Sequence, residues 1–248
     1  MSEIVRKPAL AARLRALTPA RVALGQTGVS LRTTDLLDFQ RAHAQARDAV
    51  HARLDAASLA AELAALSRGE VLCLHSAAKD RATYLKRPDL GRRLDEASRA
   101  SLLAGECDLS LIIADGLSAI AVERHVSPLL QQLLPQLAGW RLAPLVVVEQ
   151  GRVAVGDEIG AALGAALTIV FIGERPGLSS PDSMGAYLTW NPGPGRTDAE
   201  RNCISNIRAG GLTYTEATAQ LYFYLTEARR RRLSGIALKE KSRFLNES

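Results

Sequence analysis

With 248 residues, 47% of them apolar and 23% charged, the chain has an ordinary globular composition and length enough to bury a full core in one large domain or two small ones. No apolar run approaches the roughly 18 residues of a membrane span, and the basic, Ala/Leu-rich amino terminus lacks the continuous apolar stretch and cleavage site of a secretion signal. The net charge of +5, from 31 basic against 26 acidic residues, is most concentrated at Arg229–Arg232; with aromatics at 4% and none interleaved, that run reads as cations offsetting a helix dipole rather than as a nucleic-acid patch.

In chain order, Pro8, Pro19, Gly25 and Gly28 leave room for one short helix over about 9–17. Thr34 is placed to cap a helix from Asp35 to about Asp55, whose apolar positions Phe39, His43, Ala46, Val50 and Leu54 recur at three- and four-residue spacing. Ser58 caps a second helix over 59–66, ended before Gly69. Residues 1–68 therefore read as a helical arm for interaction. From Glu70 strands and helices alternate. Strands are expected over 71–74, 109–114, 145–148 and 168–172. Helices are expected over about 90–103, from Leu117 with a kink at Pro128, over 157–163, and over 214–233 with Gly235 as the stop. That alternation predicts an α/β fold for 69–248, a Rossmann-like parallel sheet flanked by helices with right-handed crossovers, preceded by the N-terminal helical arm.

The run Thr168–Ile172 is uncharged and β-branched, as in a strand buried on both faces, and Glu174-Arg175-Pro176-Gly177 follows at its carboxyl end, where open α/β sheets bind ligands. Pro181, Pro192 and Pro194 with Gly185, Gly193 and Gly195 predict a long loop to about Asp198, ordered by Tyr187 and Trp190, and the ligand is expected there. No G-x-G-x-x-G follows a strand, and no G-x-x-x-x-G-K-[ST] occurs. Asp115-Gly116-Leu117-Ser118 brings a glycine turn and a hydroxyl to a helix start, either an anion cradle or a plain capped turn. Ser76 and Ser118 have no His and acid at triad spacing. His43 and His51 stand about two turns, or roughly 12 Å, apart, too far for one metal ion, and His75 and His125 stand alone. Cys73, Cys107 and Cys203 lack metal-ligand spacing, and their odd count argues for a reducing compartment rather than a disulfide framework. Such a site suits a binder better than a catalyst.

Four segments carry a specific likeness: LHSAAKDRATYL at 74–85, IADGLSA at 113–119, IGERPGL at 172–178 and NCISNIR at 202–208. In this order they resemble the small (beta) subunit of ethanolamine ammonia-lyase, over about 36–238. The resemblance implies a subunit that is not catalytic alone and that packs against a TIM-barrel large subunit in a hetero-oligomer of heterodimers. The complex would convert ethanolamine to acetaldehyde and ammonia by adenosylcobalamin radical chemistry. It implies cofactor contacts at Val153 (within GRVAVG, 151–156), Glu174 and Cys203, with Glu174 accepting hydrogen bonds from corrin amides and Cys203 a small soft side chain against a planar ligand. No Asp-x-His-x-x-Gly motif occurs, so the cofactor is expected base-on, with no metal ligand from the protein and no catalytic residue assigned. No membrane or nucleic-acid partner is implied. The resemblance implies the bacterial cytoplasm, with packaging in a bacterial microcompartment as the further option: in the family an amino-terminal extension is tied to that packaging, and the arm here is short. A free-standing cobalamin carrier, and a small-molecule α/β enzyme with a site at Asp115 and Glu174, are the alternatives.

Overall fold

Runs of Val, Ile and Leu set the centre of the molecule, because residues of this kind pack on both faces of a pleated sheet. The computed structural model describes residues 8–238 apart from 19 and 23. The arm holds α1 (Pro8–Leu17), the two-residue strands β1 (Gln26–Thr27) and β2 (Ser30–Leu31), α2 (Thr33–His51) and α3 (Ala56–Ser67). There follow β3 (Val71–His75), α4 (Arg81–Lys86), α5 (Glu96–Ser101), β4 (Cys107–Ala114), α6 (Ala119–Leu133), β5 (Leu145–Glu149), α7 (Val155–Ala162), β6 (Ala165–Gly173), β7 (Met184–Trp190), β8 (Arg201–Ile207) and α8 (Tyr214–Arg231).

Six strands form one sheet in the order β3-β5-β4-β6-β7-β8. The first four pair in parallel, whereas β7 pairs antiparallel with both β6 and β8. The fold is thus α/β with a mostly parallel sheet flanked by helices. Alternation along β4 divides the core: Leu109, Leu111 and Ile113 join α3, α6 and α8 on one face, while Ile112 and Ala114 join Val155 and Ile159 of α7 on the other. Full burial of each such side chain contributes about 1.5–3 kcal/mol. Helix α3 belongs to the first of these layers, with Leu59 3% and Leu63 0% exposed.

Several expectations need correction. The segment after Glu174 is not a long loop: Met184–Trp190 is the strand β7, which contains Tyr187 and Trp190, and Arg201–Ile207 adds the edge strand β8. Prolines and glycines bracket these strands rather than interrupt them, apart from Gly185, which sits at a register shift between Met184 and Ala186. The single helix over 90–103 is instead a short 3-10 turn at Leu90–Arg92 and then α5, because Asp95 takes an extended backbone and caps Ser98. The stretch before it holds a further short helix, α4, capped by Asp80. Asp55, not Ser58, caps α3, its side chain accepting from the Ser58 N–H. Helices α3 and α8 end on Arg68 and Arg232 in the left-handed region rather than on the glycines that follow. Helix α2 buries Ala42 and Ala49, while Phe39 is 41% exposed, so its contact strip is narrower and rotated from the one expected. The basic run is engaged within the fold: Arg229 lies 4.5 Å from the Trp140 ring centre and 3.2 Å from Asp108, and Arg230 pairs with Glu227.

Candidate functional site

Strands β4 and β6 lie side by side, so the turns that follow them are forced together. The Leu117 N–H donates to the Gly173 carbonyl at 2.9 Å, and a Cβ at Gly173 would stand 2.0 Å from the Ser118 carbonyl oxygen. Only a residue without a side chain lets these turns meet, which is why a glycine separates the buried strand from Glu174. The Ser118 hydroxyl caps α6, accepting from the Ala121 N–H at 3.3 Å, and donates to the Pro181 carbonyl at 2.9 Å. The Asp115–Ser118 turn is therefore a capped turn whose hydroxyl is already engaged.

Beneath this junction lies a buried charge network. Asp115 is 0% exposed; its Oδ1 accepts from the Gly151 N–H at 3.0 Å, and its Oδ2 lies 3.4 Å from Nη1 of Arg81. Arg81 also donates to the Gly116 carbonyl and, from Nε, to the Val50 carbonyl, each at 2.7 Å. Burial pushes the Asp115 carboxyl up to about 6, against the pull of Arg81 and of main-chain N–H groups, and burial lowers Arg81 too. Tyr84 lies between two cations, with the guanidinium of Arg81 4.8 Å and that of Arg152 4.2 Å from its ring centre, and its hydroxyl donates to the Gly151 carbonyl at 3.1 Å. The network thus fixes the turn at 150–153 after β5. With both its oxygens engaged below the surface, Asp115 offers no acid or base to a ligand.

Above the network opens a groove of about 420 Å³, with Tyr84, Leu117, Val153, Ile172, Glu174 and Tyr187 in its walls. Val153 and Glu174, both half-buried, therefore share one cavity at the carboxyl ends of the parallel strands. Cys203 is not in its wall but stands beside it on β8, in register with Tyr187 of β7 and hydrogen-bonded to the Tyr187 side chain. Although the residue is exposed, its sulfur is crowded: local burial pushes the thiol pKa up against the Tyr187 hydrogen bond, and the charge of Glu174 adds to the rise. A raised thiol pKa disfavours the thiolate, so Cys203 suits packing better than nucleophilic attack. A second depression, of about 480 Å³, shares Leu117, Arg152 and Arg175 with the first and extends to His43 and Arg47 of α2.

Sequence reasoning missed Tyr84, Arg152 and Tyr187. Tyr84 lies inside the matched segment 74–85 and Arg152 in the GRVAVG run at 151–156, where a large aromatic and a cation beside glycine turns were the available signal. Tyr187 was assigned to a loop. Among the described residues, no group of three or more His, Cys, Asp or Glu is placed to hold a metal ion, and no helix is long and apolar enough to cross a membrane.

The family model described as ethanolamine ammonia-lyase light chain (EutC) matches residues 9–239. The ethanolamine ammonia-lyase small subunit of Pseudomonas paraeruginosa is 57% identical over 237 residues, covering 92% of this chain and 86% of the relative. That of Xanthomonas campestris pv. campestris is 57% identical over 239 residues, 93% and 88% of the two chains. The Pseudomonas putida small subunit is 57% identical over 237 residues, 92% and 87%. An identity this high, sustained over nearly the whole chain, places the chain in the ethanolamine ammonia-lyase light-chain family.

Proposed function

We propose that this small subunit completes an adenosylcobalamin pocket against a large subunit, within a complex that converts ethanolamine to acetaldehyde and ammonia. The observation that carries this reading is the convergence of Val153 and Glu174 on one groove, with Cys203 at its β8 side. The residues suit such a cofactor. Tyr187, Ile172 and Val153 offer apolar surface to a broad ring, and Glu174 offers an acceptor to peripheral amides. The groove and the depression beside it together give a shallow platform rather than an enclosed pocket, so a partner's surface is needed to exclude water. When bound, the cofactor supplies the radical chemistry. This chain binds it, orients it and shields it. In this reading neither Asp115, buried with both oxygens engaged, nor Cys203, whose thiol pKa is raised, serves the reaction as acid or base. Since the chain has no Asp-x-His-x-x-Gly motif, none of its residues is assigned as a ligand to the cofactor's metal.

The arm supplies apolar surface for the large subunit: Leu17 is 83% and Leu37 57% exposed, with Leu36 and Phe39 nearby on α2. The three free cysteines suit the bacterial cytoplasm. The test is co-expression with a large subunit, size exclusion with and without adenosylcobalamin, and an ethanolamine deamination assay. A two-chain complex active only with the cofactor is expected. A chain that fails to join the large subunit would overturn the reading, and one that turns over ethanolamine unaided would place a catalytic centre here instead.

A further inference from the structure

Glu174 is not a free surface carboxylate. Its Oε2 accepts from the Ser183 hydroxyl and, at 3.1 Å, from the Asn206 N–H, while its own N–H donates to the Ser183 carbonyl at 2.9 Å. Among the described residues none donates to Oε1, which faces Gly185, where an added Cβ would come within 3.0 Å of it. The two donors are themselves held. Asn206 adopts a left-handed backbone (φ 62°) and stands outside the β7–β8 register at its irregularity, and its carbonyl accepts from the Leu212 N–H at 2.8 Å. Ser183 is 5% exposed and ends a strap pinned from the α6 side, where Ser118 donates to Pro181 at 2.9 Å and Arg124 donates to Asp182 at 2.9 Å.

We infer that Ser183 and the Asn206 main-chain N–H are positioning groups for Glu174. They occupy one carboxylate oxygen and lock its plane, so that Oε1 alone is presented to the amide N–H groups of the bound cofactor. The inference rests on the proposed role of Glu174 as a cofactor contact and adds what makes that contact directional. An unheld glutamate on the groove wall would lose rotamer freedom on each binding event, whereas here that ordering is complete before the ligand arrives. Gly185 keeps the approach to Oε1 clear.

The experiment is a titration of adenosylcobalamin into the two-subunit complex carrying Ser183→Ala, Ser183→Thr, Glu174→Ala or Glu174→Ala with Ser183→Ala. The cofactor Kd, the KM and kcat, and the melting temperature of each complex are measured. Ser183→Ala is expected to weaken cofactor affinity about 5- to 10-fold, the scale of one ordinary net hydrogen bond, because the lost bond positions Glu174 rather than touching the cofactor, and to raise the cofactor's KM more than it lowers kcat. Ser183→Thr, which keeps the hydroxyl, restores the affinity. In the Glu174→Ala background, Ser183→Ala adds nothing. If Ser183→Ala leaves Kd unchanged while Glu174→Ala weakens it, the positioning role is overturned and the Glu174 contact stands. If Ser183→Ala weakens binding equally in both backgrounds, its effect is general packing and the inference fails. If Glu174→Ala leaves Kd unchanged, the contact itself is wrong. Should Ser183→Thr not assemble, the double-variant comparison decides.

Discussion

The β7–β8 hairpin that carries Tyr187 and Cys203 is tied to α7 by one buried ion pair, and cutting it should cost both stability and cofactor affinity. Arg201, whose side chain is 3% exposed, donates to both oxygens of Asp157 at 2.7 and 2.6 Å, and to the Thr189 hydroxyl at 3.0 Å. Asp157→Ala leaves a guanidinium out of water with its main counter-charge gone, a loss of about 3–5 kcal/mol. In a domain of this size that corresponds to a fall in Tm of roughly 6–20 °C. Urea denaturation followed by fluorescence of Trp140 and Trp190 measures it. The double variant Asp157→Ala with Arg201→Met should recover most of the loss, because it removes the stranded charge rather than half of a pair. Cys203 stands two positions along β8 from Arg201, so Asp157→Ala should also weaken adenosylcobalamin binding by the assembled complex. A cost below about 1 kcal/mol, as for an exposed pair, would refute the reasoning.

Two further perturbations test the junction beneath the groove. Gly173→Ala would place a methyl group 2.0 Å from the Ser118 carbonyl and 2.6 Å from that of Asp115, both backbone atoms with no room to yield. It should cost about 3 kcal/mol or more and leave little soluble chain, and near-normal expression and Tm would contradict the close approach. The pH dependence of stability should bear the mark of Asp115, whose folded pKa of about 6 lies above its unfolded value of about 3.9. Between those values the folded state holds more protons than the unfolded one, so this group's contribution to stability falls as pH rises from about 4 to about 6 and is constant above. The stability difference between the protein and Asp115→Asn, measured by denaturation from pH 4 to 8, should therefore decline and then level off. A difference that grows with pH would show that pairing with Arg81 outweighs burial.

The parallel strands could be read directly, because Cys107–Ala114, Leu145–Glu149 and Ala165–Gly173 are nearly continuous apolar runs that only a doubly covered sheet can bury, and Val71–His75 is a shorter apolar run at the sheet's edge. The turn at Glu174 was legible too, as the polar end of the most apolar of these runs. Strands β7 and β8 were not. Their segments mix glycine, hydroxyl and amide residues, and they are strands because β6 offers an open edge, a fact about a neighbour and not about their own residues. Glu174, Val153 and Cys203 were named by likeness to a family, which gave no reason for their proximity. That reason is topological. Parallel strands must all finish at one end of the sheet, so turns distant in sequence close on a single groove. The charges that hold the groove belong to the tertiary structure alone. Arg81 with Asp115 and Arg201 with Asp157 each join different elements, and no local pattern in the sequence distinguishes them from solvated surface charges. Sequence by itself determined which segments must be buried; only the folded chain decided which polar groups are buried with them, because a buried charge depends on a partner that the chain brings from elsewhere.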